Sequence, residues 1–73
     1  MTEQHSVDLS HFPVELFKIL KFEGIAASGA EAKIMIDNGQ VEVNGEIETR
    51  KRRQIVPGDI IKIAQLELHV RSL

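Results

Sequence analysis

The stretch Ser28-Gly29-Ala30-Glu31-Ala32-Lys33-Ile34-Met35-Ile36-Asp37-Asn38-Gly39-Gln40-Val41-Glu42-Val43-Asn44-Gly45 changes period part-way along. Up to Asp37, Ala32, Met35 and Ile36 recur at helical spacing and form one inward stripe, with Lys33 pointing away from it. Ser28 is the expected N-cap and Glu31, three residues on, completes a capping box. Gly39 ends the helix as a left-handed cap. Beyond it Val41-Glu42-Val43 alternates with a period of two, and Asn44-Gly45 is a strong hairpin turn. Helix followed by hairpin, in that order, argues for an α+β fold.

Working upstream, Pro13 is expected to open a first helix, since proline is favoured in a helix's first turn. Leu16, Ile19 and Leu20 make its inward stripe, Lys18 and Lys21 share the other side, and Gly24 caps its end. The short connection makes the two helices a packed pair. Residues 1–12 form an N-terminal segment with room for one strand, and residues 13–73 form a single domain.

Working downstream, the hairpin register follows from parity. A two-residue loop at Asn44-Gly45 sets Glu42 opposite Ile47 and splits the apolar residues between faces. A three-residue loop sets Val41 opposite Ile47, so the apolar pattern predicts the longer loop with a glycine bulge. Strands at Ile55-Val56, Ile60 to Ile63 and Leu66 to Val70 follow, with Pro57-Gly58 as a turn and Glu67 and His69 alternating outward. The sum is a pair of helices on a small, twisted, mostly antiparallel sheet.

Composition narrows the function. The chain has 73 residues, of which 42% are apolar, enough for one modest core but not for a second domain or a deep cleft. It has no cysteine, which removes disulfides and thiolate metal sites and fits a reducing, cytoplasmic setting. No apolar run reaches the ~18 residues of a membrane span, and Met1 to Leu9 lacks a signal-peptide pattern. The His5, Asp8 and His11 spacing suits neither one helix face nor one strand face, so no metal or general base is expected there. Serines 6, 10, 28 and 72 show no nucleophile turn, and the glycines form no phosphate-cradling loop. The expectation is a protein without catalysis or cofactor.

The charge distribution is the one feature that points to a ligand. Net charge is −2, yet Arg50-Lys51-Arg52-Arg53 is an unbroken cationic run, while acids gather at Glu42, Glu46 and Glu48. If the run is extended, Arg50 and Arg52 share one side and Lys51 and Arg53 the other. A solvated edge and a phosphate-binding cluster are equally compatible with the run taken alone. The three aromatics, Phe12, Phe17 and Phe22, all sit near the first helix, which argues against a base-stacking sheet.

With these elements in order, the pattern Gly24-Ile25, Ser28, Ala32, Met35-Ile36, Gly39, Val41, Val43-Asn44-Gly45 and Val56-x-x-Asp59-x-Ile61 resembles the RNA-binding domain named after the fourth small-subunit ribosomal protein. Ser28-Gly29-Ala30-x-Ala32-Lys33 and Glu48-Thr49-Arg50-Lys51-Arg52 look like its small stand-alone bacterial members of the YbcJ type. The resemblance implies an L-shaped RNA-binding surface made by the helix pair and the following hairpin. It also implies RNA contact at Lys33. Many such domains carry arginine where this chain has Gly29, and the basic run is expected to compensate. The reading is a non-catalytic binder of structured, ribosomal-type RNA. Lys33, Arg50, Lys51, Arg52 and Arg53 would contact phosphate, with Lys18 and Lys21 at the rim. A module docking its basic run on an acidic, ribosome-associated protein is the alternative.

Overall fold

The structure, a computed structural model, describes residues 3–73. In chain order the elements are β1 (Glu3–Leu9), β2 (Val14–Glu15), α1 (Leu16–Phe22), α2 (Gly29–Asp37), β3 (Val41–Val43), β4 (Glu46–Ile47), β5 (Gln54–Ile55), β6 (Ile60–Ile63) and β7 (Leu66–Ser72). Five strands form one sheet in the order β1-β7-β6-β3-β4, and β2 pairs with β5 in a second, two-stranded sheet. Every pairing is antiparallel except β1 with β7. The fold is therefore α+β, with a helix pair set against a mixed, mostly antiparallel sheet.

The periodicities place the core. Leu16, Ile19 and Leu20 of α1 and Ala32 and Ile36 of α2 are fully buried. They meet Val7, Val41, Val43, Ile61, Leu68 and Val70 from one face of the large sheet, and Ile55 from the small one. Glu42, Lys62, Glu67 and His69 alternate onto the other face. Ser28 caps α2, its hydroxyl accepting the Glu31 N–H at 3.2 Å. Glu31 reaches back one residue further than a capping box requires, accepting from the Ala27 N–H. Both helices end as expected, with Gly24 and Gly39 at φ of +74° and +73°. Gly24 donates to the Lys21 carbonyl and Ile25 to that of Leu20, while Gly39 donates to Ile36 and Gln40 to Met35.

Two expectations are corrected. Pro13 does not open α1. It precedes β2, and the helix starts three residues later at Leu16. The first donors of α1 are satisfied from outside: the Leu16 N–H donates to the Arg53 carbonyl at 2.8 Å and the Phe17 N–H to the Lys51 carbonyl at 3.2 Å. With β2 paired to β5, the chain is held extended up to Glu15 and turns helical only after it.

The hairpin register is the other. Glu42 lies opposite Ile47 and Val43 opposite Glu46, so the loop is the two-residue one. Asn44 and Gly45 both take positive φ, 53° and 87°, as such a turn requires. Asn44 is further pinned by its side chain, whose amide donates to Asp59 and whose oxygen accepts the Ile60 N–H. Ile47 therefore points to solvent, 66% exposed. The inward position opposite Val41 passes to Glu48, whose N–H donates to the Val41 carbonyl and which is only 6% exposed. Parity predicted an apolar residue there; a paired carboxylate fills it instead.

Candidate nucleic-acid interface

The basic run is a turn, not an extended strand. The Arg53 N–H donates to the Arg50 carbonyl at 3.2 Å, closing residues 50–53 on themselves. The alternating sides expected of Arg50/Arg52 and Lys51/Arg53 are accordingly not found. Arg50 and Arg53 come together, while Lys51 and Arg52 diverge toward the two helices.

Glu48 organises the first pair. Its Oε1 accepts Arg50 Nε at 2.9 Å, and its Oε2 accepts Arg50 Nη2 at 3.1 Å and Arg53 Nη1 at 2.8 Å. It also accepts the Arg50 backbone N–H at 3.0 Å. The Arg50 side-chain hydrogen bonds, with those of Arg53 adding to them, outweigh the opposing effect of burial and lower the Glu48 carboxyl from 4.5 to about 2. The same contact raises the Arg50 guanidinium. Each guanidinium has five N–H donors, so both arginines keep donors free for an external anion. Glu48, grouped with the acids away from the basic run in the sequence reading, is thus the residue that holds half of that run in place.

The other cations meet more open acids. Lys51 Nζ lies 3.0 Å from Asp37 Oδ2, at the last residue of α2. Arg52 Nε lies 3.5 Å and Lys18 Nζ 3.2 Å from the two oxygens of Glu15. Phe17 is the hub on the helix side. Lys33 Nζ stands 4.6 Å from its ring centroid and Lys18 Nζ 6.0 Å, a cation–π arrangement. A Cβ on Gly29 would meet the same ring at 3.7 Å, so Gly29 sits where the two helices touch. Lys21, exposed, is one helical turn from Lys18 and Phe17. No described carboxylate pairs with Lys21 or Lys33.

Six of the seven cations singled out in the sequence fall into three contact groups: Arg50 and Arg53 on Glu48, Lys51 on Asp37, and Arg52, Lys18 and Lys33 through Glu15 and Phe17. The turn at residues 50–53 brings these groups onto one surface, and Lys21 lies at its rim, one helical turn from Lys18. That surface gathers seven of the chain's nine Lys and Arg with three of its eleven acids, four charges positive. The remaining two cations and eight acids leave the rest of the chain six negative. Arg50, Arg52, Arg53 and Gln54 line an open depression of about 570 Å³ in this surface. Three guanidiniums around a shallow basin suit phosphate oxygens, which accept from such forks two at a time.

Sequence reasoning did not find the three acids of this surface. Only Glu48 had a signal, its place in the strand register. Among the described residues no cluster of His, Cys, Asp and Glu could hold a metal, and no helix is long and apolar enough to cross a membrane.

Comparison with known proteins converges on one family. The S4 domain profile matches residues 7–71. YbcJ of Escherichia coli K12, named as a candidate RNA-binding protein, is 54% identical over 54 residues, covering 74% of this chain and 77% of YbcJ. YbcJ of Shigella flexneri matches to the same extent. The solution structure of E. coli YbcJ, described as revealing an αL motif involved in RNA binding, superposes with a TM-score of 0.66 at 44% identity. It covers 97% of this chain and 89% of YbcJ.

Proposed function

This chain belongs to the S4 domain family, which is not a family of enzymes, and from that premise we propose that it binds structured RNA through phosphate contacts on its basic surface. The observation that carries this reading is the gathering of Arg50, Lys51, Arg52 and Arg53 in one turn beside Lys18 and Lys33, with Arg52 and Lys18 sharing Glu15 and Lys18 and Lys33 sharing Phe17. The turn is fixed to the start of α1 by main-chain bonds from Leu16 and Phe17, which hold its cations against the helix. Lys33 and the four turn residues make the phosphate contacts, and Lys18 and Lys21 steer at the rim. Residues 13–73 are the binding unit, and residues 1–12 add to it through β1.

Phosphate contacts fix position without reading base identity. Three further points follow for the ligand. The site recognises the shape of folded RNA, such as a junction or bulge. Ribosomal RNA is the expected class, by analogy with the ribosomal protein after which the family is named. The setting is the cytoplasm, where such RNA resides.

Crosslinking in cells followed by sequencing of the bound RNA tests the reading. Reads concentrated on structured ribosomal RNA support it, and a pull-down whose partners survive nuclease treatment would replace it with a protein-docking role.

A further inference from the structure

The three acids of the basic surface do not have the same role. Glu48 is buried, its side chain 7% exposed, and it organises Arg50 and Arg53 without occupying all their donors. Glu15 and Asp37 are open, their side chains 28% and 50% exposed, and each sits on the cations an incoming phosphate would need.

Local structure explains Asp37 not at all and Glu15 only in part, since a negative charge at the start of α1 suits the helix dipole and pairs with Lys18 one turn on. Glu15 is the N-cap residue of α1 but makes no side-chain cap bond. Asp37 is the last residue of α2, the end where the helix dipole disfavours negative charge, and that last turn has no basic residue to offset it. What both do have is a cation of the basic surface: Lys51 for Asp37, and Arg52 with Lys18 for Glu15.

We propose that Asp37 and Glu15 are specificity-determining residues of the RNA site, acting as internal stand-ins for phosphate. Resting on the RNA-binding reading above, the inference is that RNA binds by exchange. A phosphate that takes Lys51 Nζ or Arg52 Nε competes with a carboxylate already there, and one that uses the other donors of Arg52 still meets the charge of Glu15. An RNA that meets one cation at a time gains little from this exchange. A folded RNA whose phosphates reach Arg50, Arg53, Lys33 and the turn together offsets it several times over. The two acids thus lower affinity for any polyanion while preserving it for the right shape. Exchange also releases fewer counterions than capture by a bare cation, because the displaced carboxylate gathers its own.

Asp37→Asn, Glu15→Gln and the double variant test this, with Glu42→Gln on the opposite sheet face as the control. Binding is measured for a single-stranded poly(U) and for a bulged RNA hairpin of matched length. Breaking one exposed ion pair corresponds to about a twofold to fivefold change. Each variant should raise poly(U) affinity by that factor, the double variant by their product, and the hairpin should gain less, so discrimination falls. The poly(U) salt slope should steepen by up to about 0.7 per carboxylate removed. The inference is overturned if affinity, slope and discrimination stay at the wild-type values, or if affinity drops, which would make the acids positioning residues. Those outcomes leave the RNA reading intact provided wild-type protein binds the hairpin. Failure of both wild type and double variant to bind either RNA would remove the reading and the inference together.

Discussion

Arg53 Nη1 and Glu48 Oε2 lie 2.8 Å apart where the edge of the sheet gives way to the basic turn, and this half-buried contact ties the core to the basic surface. Removing the Glu48 charge should therefore be felt in stability as well as in binding. Glu48→Gln loses charge-assisted bonds to two arginines, and a loss of about 2 kcal/mol is expected in chemical denaturation. RNA affinity should fall with it, because the two guanidiniums lose their common anchor.

The same carboxylate sets an acid limit. Its folded-state pKa is lowered from 4.5 to about 2, so folding favours the ionised form. Its stabilisation is complete above about pH 4.5 and is lost as pH falls toward 2. Melting temperature of the wild type should drop across that window more steeply than that of Glu48→Gln, and the two curves should run parallel above it.

Binding through phosphate predicts a strong salt dependence. Five bare cations at Lys33 and the four turn residues would give a log–log slope of roughly −3.5 for single strands and −4.5 for duplexes, and the wild-type slope should be shallower than this by up to about 0.7 for each of Asp37 and Glu15 that is displaced. Arg50→Ala and Arg53→Ala should each flatten it by about one, and Lys51→Ala and Arg52→Ala by less, without changing which RNA is preferred. Glu67→Ala, on the outward face, should leave it unchanged. A wild-type affinity that barely moves between low and physiological salt would remove the basis for the phosphate reading.

The helix caps make a separate stability test. Gly24 has nothing within 4 Å of an added Cβ, and Gly39 has only Ile47 Cγ2 at an ordinary 3.7 Å. Space is therefore available, and the cost of alanine at either is the left-handed backbone alone, about 1 kcal/mol each. Unchanged melting temperatures in both variants would contradict the caps.

Hairpin register can be read by mutation. Ile47→Thr alters an outward side chain and should change stability by less than about 0.5 kcal/mol. Val41→Ala removes two buried methyl groups and should cost about 2 kcal/mol. Equal costs would indicate that Val41 and Ile47 share a face after all.

Much of this architecture was legible from residue pattern. The stripes Leu16-Ile19-Leu20 and Ala32-Ile36, the caps at Gly24, Ser28 and Gly39, and the outward Glu67 and His69 all follow from local chemistry that tertiary contacts leave undisturbed. What was not legible depends on partners distant in sequence. Pro13 satisfies a helix-start rule, yet β2 pairs with residues forty positions away, and the carbonyls of Lys51 and Arg53 decide where α1 begins. Register was misjudged because hydropathy alone ranks Ile47 above Glu48 for an inward position. Two arginines reverse that ranking, and they become visible only once the run is seen to fold into a turn. The cations of the surface were identifiable by type; the acids facing them were not, since Glu15 and Asp37 resemble any other surface carboxylate.

The parallel contact of β1 with β7 has a consequence for how the molecule is made. A ribosome delivers β1 well before β7, so the earlier strand must wait, unpaired, until the residues through Ser72 have emerged. The basic turn and the helices it docks on need only residues up to Ile55. The contacts of the polyanion-binding surface are thus available for assembly earlier in vectorial synthesis than the β1–β7 pairing, and the longest loop-closure cost in the fold is met after them.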